Sequence, residues 1–394
     1  MRILFVTPRF PYPLLKGDQV VPYHRLRHLS QDHEITLLTL YEREEELEGI
    51  QHLQPYCRSV HPVRLSKLQS VVNVGLKAPF SPLPLQALYY QSQLLQSELN
   101  RIINQEKFDL IHAYLLRIAP ATQNCKIPVI LDLIDSMQLN LERRIQKEHP
   151  PKKWLYKEEL RRVSTYERQL GETFNQMIVV AAHDSTYIPG NVSIVPNGVD
   201  TDLFVPAEKR TVDPKIVFSG NMGYAPNIHA VKWFVENCFD QICSAEPNVQ
   251  FVIAGANPSK EVLALAQSTN IKVTGFVPSM VDILQQSKVA IAPMQTGSGV
   301  QNKILEAMSC ELPVVTTPLG KGSLSAEPER DIIVAADPEG FSKRVIELLQ
   351  DNRRSEELGK HARQFVKTRH SWAQAADLVN LVYRREIQAH EERS

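Results

Sequence analysis

PMQTGSGVQNKILEAMSCELPVV, Pro293 to Val315, contains a glycine-rich turn, a helical segment and the start of an apolar run in twenty-three consecutive residues. KVAIAP (Lys288 to Pro293) before it and LPVVTT (Leu312 to Thr317) at its end are short apolar, β-branched runs of the kind that form buried strands. Between them Gly297 and Gly299 permit a tight turn whose free N–H groups can face an anion, and good helix formers run from Val300 to Ser309. The turn therefore stands at a helix N-terminus. At 100° per residue, Asn302, Lys303 and Glu306 share one arc of about 100°, while Ile304, Leu305 and Met308 fill another that can face a sheet. A turn and helix dipole suit a diphosphate, Lys303 suits its charge, and Glu306 is an acceptor for a pair of sugar hydroxyls. The competing reading is an ordinary strand–helix–strand turn with a solvated helix face.

Strand–helix alternation extends through the chain. ILFVTP (Ile3 to Pro8), EITLLTL (Glu34 to Leu40), FDLIHA (Phe108 to Ala113), PVILDL (Pro128 to Leu133) and QMIVVA (Gln176 to Ala181) read as strands of a first half. KIVFSG (Lys215 to Gly220), QFVIAG (Gln250 to Gly255), IKVTG (Ile271 to Gly275), KVAIAP, PVVTT and DIIVA (Asp331 to Ala335) repeat the pattern in a second. The fold class is α/β, with two Rossmann-like doubly wound domains facing a cleft. Their linker is VPNGVDTDLFVP (Val195 to Pro206), which places residues 1–195 in the first domain and 196–371 in the second. A chain of 394 residues with 43% hydrophobic content is long enough for two cores.

Ligands of such sheets bind beyond the carboxyl ends of the strands. Gly17 and Asp18 follow the first strand, His112 ends another, Asp132 and Asp135 follow a third, and Gly220, Gly255, Gly275 and Gly297 end strands of the second half. Glycine also favours strand ends and helix caps for backbone reasons, and Asp18 or Asp135 can each be a helix cap.

Lys and Arg balance Asp and Glu at 44 each, so no global field argues for nucleic acid. From Arg143 to Arg162, however, eight basic residues face three acidic ones, with Trp154 and Tyr156 among them. This stretch reads either as a surface resting on an anionic membrane or as a solvated helix face with internal ion pairs. VVNVGLKAPFSPLPLQALYY (Val71 to Tyr90) is apolar for a surface connection and reads as a packed helix pair or as a lipid-facing, acceptor-side loop. Five cysteines without a CxxC or Cys/His cluster point to a reduced, cytosolic chain without structural zinc. No 18-residue apolar run and no cationic leader are present, so the chain is expected neither to be secreted nor to span a membrane. No GxGxxG follows the first strand of either half, which argues against a dinucleotide enzyme.

TGSGVQNKILEAMSCELPVV, SGNMGYAPN (Ser219 to Asn227) and PNGVD (Pro196 to Asp200) together closely resemble the family-4 retaining glycosyltransferases of the GT-B fold. Within that family the likeness is greatest to bacterial sugar transferases associated with exopolysaccharide assembly. TPRFPYPLLKGDQVVPYHRLRHLS near the start and YERQLGETFNQMIVVAAHDS (Tyr166 to Ser185) share it.

The resemblance implies transfer of a sugar, with retained anomeric configuration, from a nucleotide-sugar donor held by the second domain to a glycan, lipid-linked or small-molecule acceptor held by the first. Gly17 and Asp18 would lie on the acceptor side. It implies that Glu306 binds the ribose hydroxyls, that Gly297, Ser298 and Gly299 approach the diphosphate and donor sugar beside Gly220 and Asn221, and that backbone near Phe276 and Val277 meets the base. The final segment, 372–394, would pack back on the first domain. No metal and no resident cofactor are implied.

Three departures stand out. Ser298 occupies the position of an expected first glutamate, eight residues before Glu306; NMGYAPN lacks the basic pair expected to neutralise the diphosphate, leaving Lys303 as substitute; and DLIDS lacks the histidine expected to contact the donor sugar, leaving His112 or Asp135 in positioning and electrostatic roles. Two other readings stay open: a non-catalytic subunit that binds a nucleotide sugar or scaffolds an assembly, and a sugar-nucleotide epimerase of the same architecture.

Overall fold

The computed structural model describes residues 1–14, 17–147, 150–209, 211, 213–296 and 301–393. It divides into two compact units, Met1–Asn197 with Ala375–Ser394, and Gly198–Gln374.

In the first unit seven strands form one parallel sheet: β1 (Arg2–Thr7), β2 (Glu34–Tyr41), β3 (Ser59–Arg64), β4 (Leu110–Tyr114), β5 (Val129–Ile134), β6 (Gln176–Val179) and β7 (Val192–Ile194), in the order β3-β2-β1-β4-β5-β6-β7. The order reverses between β1 and β4, whose register pairs Ile3 with Leu110 and Phe5 with His112. β1, β4 and β6 are near-continuous apolar runs because helices cover both faces. Two strands escape the sequence reading, and both are sheet edges. β3 (SVHPVR) is half-buried through most of its length and carries Pro62, while β7 has only three residues.

The second unit holds β8 (Lys215–Ser219), β9 (Gln250–Ala254), β10 (Ile271–Gly275), β11 (Val289–Ala292), β12 (Val314–Thr316) and β13 (Ile333–Val334), again parallel, in the order β10-β9-β8-β11-β12-β13. All six appear in the sequence reading. The reversal falls between β8 and β11. The helix after β11, Asn302–Ser309, turns Ile304, Leu305, Ala307 and Met308 into the core, as its periodicity requires. Truncating such a side chain to alanine costs about 2–5 kcal/mol.

The apolar stretch from Val71 to Tyr90 divides. The Leu85–Tyr90 helix buries Ala87, Leu88 and Tyr90, whereas the Lys67–Lys77 helix leaves Leu68, Val71, Val72 and Leu76 exposed. The chain returns to the first unit at its end, where Val379, Val382 and Tyr383 of the Trp372–Arg393 helix are buried.

Long helix Pro150–Thr173 does its structural work with two glutamates eight residues apart, hence on one face. Glu159 accepts from the N–H groups of Leu85 (2.7 Å) and Gln86 (3.1 Å); Glu167 accepts from the N–H groups of Met137 (2.7 Å) and Gln138 (3.4 Å) and from the Ser136 hydroxyl (3.0 Å). Each satisfies the orphan donors that open another helix. Burial pushes the Glu167 carboxyl up to about 7, its hydrogen bonds opposing.

Candidate functional site

At the carboxyl end of β8 the chain enters SGNMGYAPN. Gly220 has φ +149°, and a Cβ there would meet Asn227 Nδ2 at 2.8 Å and Lys303 Cε at 3.3 Å. Gly255, φ +143°, ends the neighbouring β9, and a Cβ on it would overlap the Gly220 carbonyl oxygen. Only glycine lets these two strand ends lie so close. The Gly220 N–H donates to Ala254 O (2.9 Å) and Met222 N–H to Ala256 O (2.8 Å), so backbone bonds fix the loop on one side.

Asn227 secures it from the other side. Its Nδ2 donates to Asn221 O (2.9 Å), its Oδ1 accepts from Lys303 Nζ (3.1 Å), and it is buried. Lys303 also donates to Gln301 Oε1 (2.9 Å), and its Nζ lies 5.3 Å from the centroid of the Phe218 ring. The lysine expected to substitute for the missing basic pair is thus held at the end of β8, beside Gly220. Burial pulls its pKa down to about 8, with Glu306 opposing the shift.

Glu306 lies one turn further along the same helix. Its carboxylate has no hydrogen-bond or ion-pair partner among the described residues, and burial raises its pKa while Lys303 lowers it. An unpartnered, half-buried carboxylate is a group that awaits donors. Gly220, Lys303 and Glu306 line one pocket with Tyr224, Met280 and Gln301. At the helix N-cap, Gln301 makes no side-chain capping bond, its oxygen serving Lys303 instead. The expected turn residues Gly297, Ser298 and Gly299 lie outside the described residues.

The remaining expectations for the second unit fall apart from this pocket. Asn221 braces its own loop, its Oδ1 accepting from Gly223 N–H (2.9 Å). Phe276 is 75% exposed beyond Gly275 (φ +68°), and the loop contributes Met280 to the pocket wall rather than Phe276 or Val277. Gln301, which lines the pocket, and Asn227, which holds Lys303 from behind it, carry no charge and bear no chemical signal in isolation; Asn227 closes the quoted SGNMGYAPN segment.

In the first unit, Gly17, Asp18 and Asp135 share a second pocket with Leu115, Ile134 and Asn140. Leu115 (φ +69°) and Ile134 (φ +67°) follow or end β4 and β5 in a left-handed conformation that is costly for bulky side chains. Asp18 is paired, its Oδ2 lying 3.3 Å from Arg9 Nε and 3.6 Å from Arg117 Nη1. The helix after Asp135 is capped by Ser136, whose Oγ accepts from Leu139 N–H (3.2 Å).

His112 is not in this pocket. It is fully buried and stacked on Phe5 at 4.2 Å. Nδ1 lies 2.8 Å from the Tyr383 hydroxyl and Nε2 3.2 Å from Asp132 Oδ2, whose other neighbour is Arg25 Nε at 3.0 Å. Burial lowers its pKa against the pull of Asp132. A neutral ring with its proton on Nε2 toward Asp132 accepts at Nδ1 from Tyr383. The ligand contact expected of His112 is therefore corrected: the ring is sealed in a buried Arg25–Asp132–His112–Tyr383 array.

No group of three or more His, Cys, Asp and Glu that could hold a metal ion occurs among the described residues, and none of their helices is long and apolar enough to cross a membrane.

Residues 213–351 match the family model of the glycosyl transferases group 1. An uncharacterized 44.6 kDa protein in the cps region of Klebsiella pneumoniae is 22% identical over 93% of this chain and 95% of its own length. The GDP-mannose-dependent monoacylated alpha-(1-6)-phosphatidylinositol monomannoside mannosyltransferase of Corynebacterium glutamicum is 27% identical, over 45% of this chain and 52% of its own. Among solved structures, sucrose-phosphate synthase from Thermosynechococcus elongatus superposes with a TM-score of 0.67 at 15% identity, covering 98% of this chain and 99% of that one. Anabaena Alr3699/HepE in complex with UDP gives 0.66 at 12%, covering 98% and 100%. These structural likenesses establish the fold. Residues 213–351 form a glycosyl transferases group 1 domain, and the chain that carries it has the GT-B fold.

Proposed function

We propose that the chain transfers a sugar, with retained configuration, from a nucleotide-sugar donor to a glycan or lipid-linked acceptor in cytoplasmic polysaccharide biosynthesis. The observation that carries this reading is the unpartnered carboxylate of Glu306, one helical turn from Lys303 and in one pocket with Gly220. A ribose diol can donate both its hydroxyls to that carboxylate, while Lys303 and the start of the Asn302–Ser309 helix, where the Gln301 side chain makes no capping bond, meet the diphosphate. The solved relative from Anabaena is described in complex with UDP and with UDP-glucose, and the cps-region relative spans nearly the same length.

In the reaction we infer, the bond from the anomeric carbon to the diphosphate oxygen breaks as the acceptor oxygen bonds on the same face. The departing phosphate oxygen takes the acceptor's proton, so no protein carboxylate need act as nucleophile. Charge on the leaving diphosphate falls to Lys303 and backbone N–H groups, an arrangement that needs neither a divalent ion nor a resident cofactor. Asp135, in the pocket of the first unit with Gly17 and Asp18, serves acceptor positioning.

The test is a thermal-shift and turnover screen over UDP- and GDP-sugars. A nucleoside diphosphate should stabilise the protein, Glu306→Ala should abolish the shift, and Lys303→Ala should weaken it. Nucleotide release should persist in EDTA, and NMR of the product should show the donor's anomeric configuration. If no nucleotide stabilises the chain, the reading fails; binding with no turnover from any donor would leave a nucleotide-sugar-binding subunit.

A further inference from the structure

The Lys67–Lys77 helix is amphipathic in the reverse sense. Leu68, Val71, Val72 and Leu76 fall within an arc of about 140°, and they are 76%, 61%, 47% and 69% exposed. The opposite side packs inward with Ser70, which is buried, and Asn73, whose Nδ2 donates to Gln91 O at 3.2 Å. Phe80, three residues beyond the helix, is 91% exposed. A fold that buries a serine and half-buries an asparagine while presenting four aliphatic side chains and a phenyl ring has an unused apolar face.

Its own stretch of chain is basic. Between Leu65 and Ser97 there is no aspartate or glutamate, and lysines stand at both ends of the helix, Lys67 facing Glu42 at 3.3 Å and Lys77 donating to Gln91 Oε1. Arg162 fastens the following turn to the Pro150–Thr173 helix by donating to Ser81 O (2.7 Å) and Ala78 O (2.8 Å). The first turns of that helix carry Lys152, Lys153 and Lys157 and leave Trp154 73% and Leu155 47% exposed.

We propose that this face docks on an anionic phospholipid bilayer, with Leu68, Val72, Leu76 and Phe80 entering the interface and the lysines of both helices meeting the headgroups. Charge decides the occupant. An apolar groove on a protein would satisfy the aliphatic face alone, whereas a negatively charged, apolar-cored surface satisfies that face together with Lys77, Lys152, Lys153 and Lys157. The proposal is independent of the transfer chemistry, because it concerns only the outer surface of the first unit.

The test is co-sedimentation of the full chain with vesicles of phosphatidylcholine alone and of phosphatidylcholine mixed with phosphatidylglycerol. The wild type should bind the mixed vesicles and release as salt rises. The variant Leu68→Ser/Val72→Ser/Leu76→Ser should bind at least about tenfold more weakly with an unchanged melting temperature, because the side chains it replaces are exposed. Phe80→Ser, outside the helix, should weaken binding by itself. Lys152→Gln/Lys153→Gln/Lys157→Gln should remove the preference for the anionic lipid. Absence of wild-type binding, or equal binding by the apolar variants, overturns the proposal. So does self-association of the wild type that the apolar variant abolishes without any binding to vesicles, which would assign the face to a second copy of the chain.

Discussion

The Tyr383 hydroxyl sits 2.8 Å from His112 Nδ1, joining residues 271 positions apart in sequence. That bond ties the returning C-terminal helix to the centre of the first sheet, where Asp132 also holds Arg25. Tyr383→Phe should cost about 1–3 kcal/mol, because it leaves a buried imidazole nitrogen without a partner. Asp132→Ala should cost more, about 3–5 kcal/mol, because it strands a buried guanidinium. Urea unfolding of each variant, with nucleotide binding followed in parallel, measures both; a Tyr383→Phe protein as stable as the wild type would contradict the assignment.

On the proposed reading, Lys303 should make nucleotide affinity depend on alkaline pH. Its folded pKa is near 8, below the unperturbed 10.5, so between these values the free protein has already lost a proton that a diphosphate requires. Affinity should fall as pH rises through about 8, by up to about tenfold per unit, and Lys303→Arg should flatten the profile. Calorimetric titration with a nucleoside diphosphate on either side of that pH decides it.

Gly255 and Gly220 are expected to resist the smallest substitution. Gly255→Ala would set a methyl group against the Gly220 carbonyl at a backbone angle of +143°, and should cost more than about 2 kcal/mol. Gly17→Ala, where a Cβ meets nothing within 4 Å, is the matched control and should change thermal stability little.

Glu167 gives the first unit an opposite pH response to that of most carboxylates. Its folded pKa, about 7, exceeds the unperturbed 4.5, so the folded state holds the proton more tightly. This contribution is full below pH 4.5 and is lost as pH rises through about 7, with a magnitude of order 3 kcal/mol. Glu167→Gln should remove that slope from a stability-against-pH curve while lowering stability overall, since one acceptor oxygen is lost from the start of the Met137–Lys147 helix.

Sequence alone makes the buried strands legible, because KIVFSG and QFVIAG carry apolar residues on both faces. SVHPVR does not qualify, being half-exposed at an edge and interrupted by proline. Lys303 and Glu306 are legible as a pair because helical periodicity is local. The hold on Lys303 is not, since Asn227 reaches it across 76 residues. His112 reads as a ligand contact for the same reason in reverse: a strand-end histidine looks available until Tyr383, far along the chain, covers it. For the apolar stretch that includes Val71 and Leu76 the sequence leaves a packed and a lipid-facing reading side by side, because periodicity identifies an apolar stripe without saying which side the fold will cover.

The return of residues 375–394 to the first unit also sets an order of assembly. A ribosome completes every residue of the second unit before it adds Tyr383, so Asp132 and His112 must wait in an unfinished core through the synthesis of an entire neighbouring domain. The domain that begins first is the last to be completed, and a stop codon shortly after position 374 would spare the residues that line the pocket of Gly220, Lys303 and Glu306 while leaving the other domain's sheet without its covering helix.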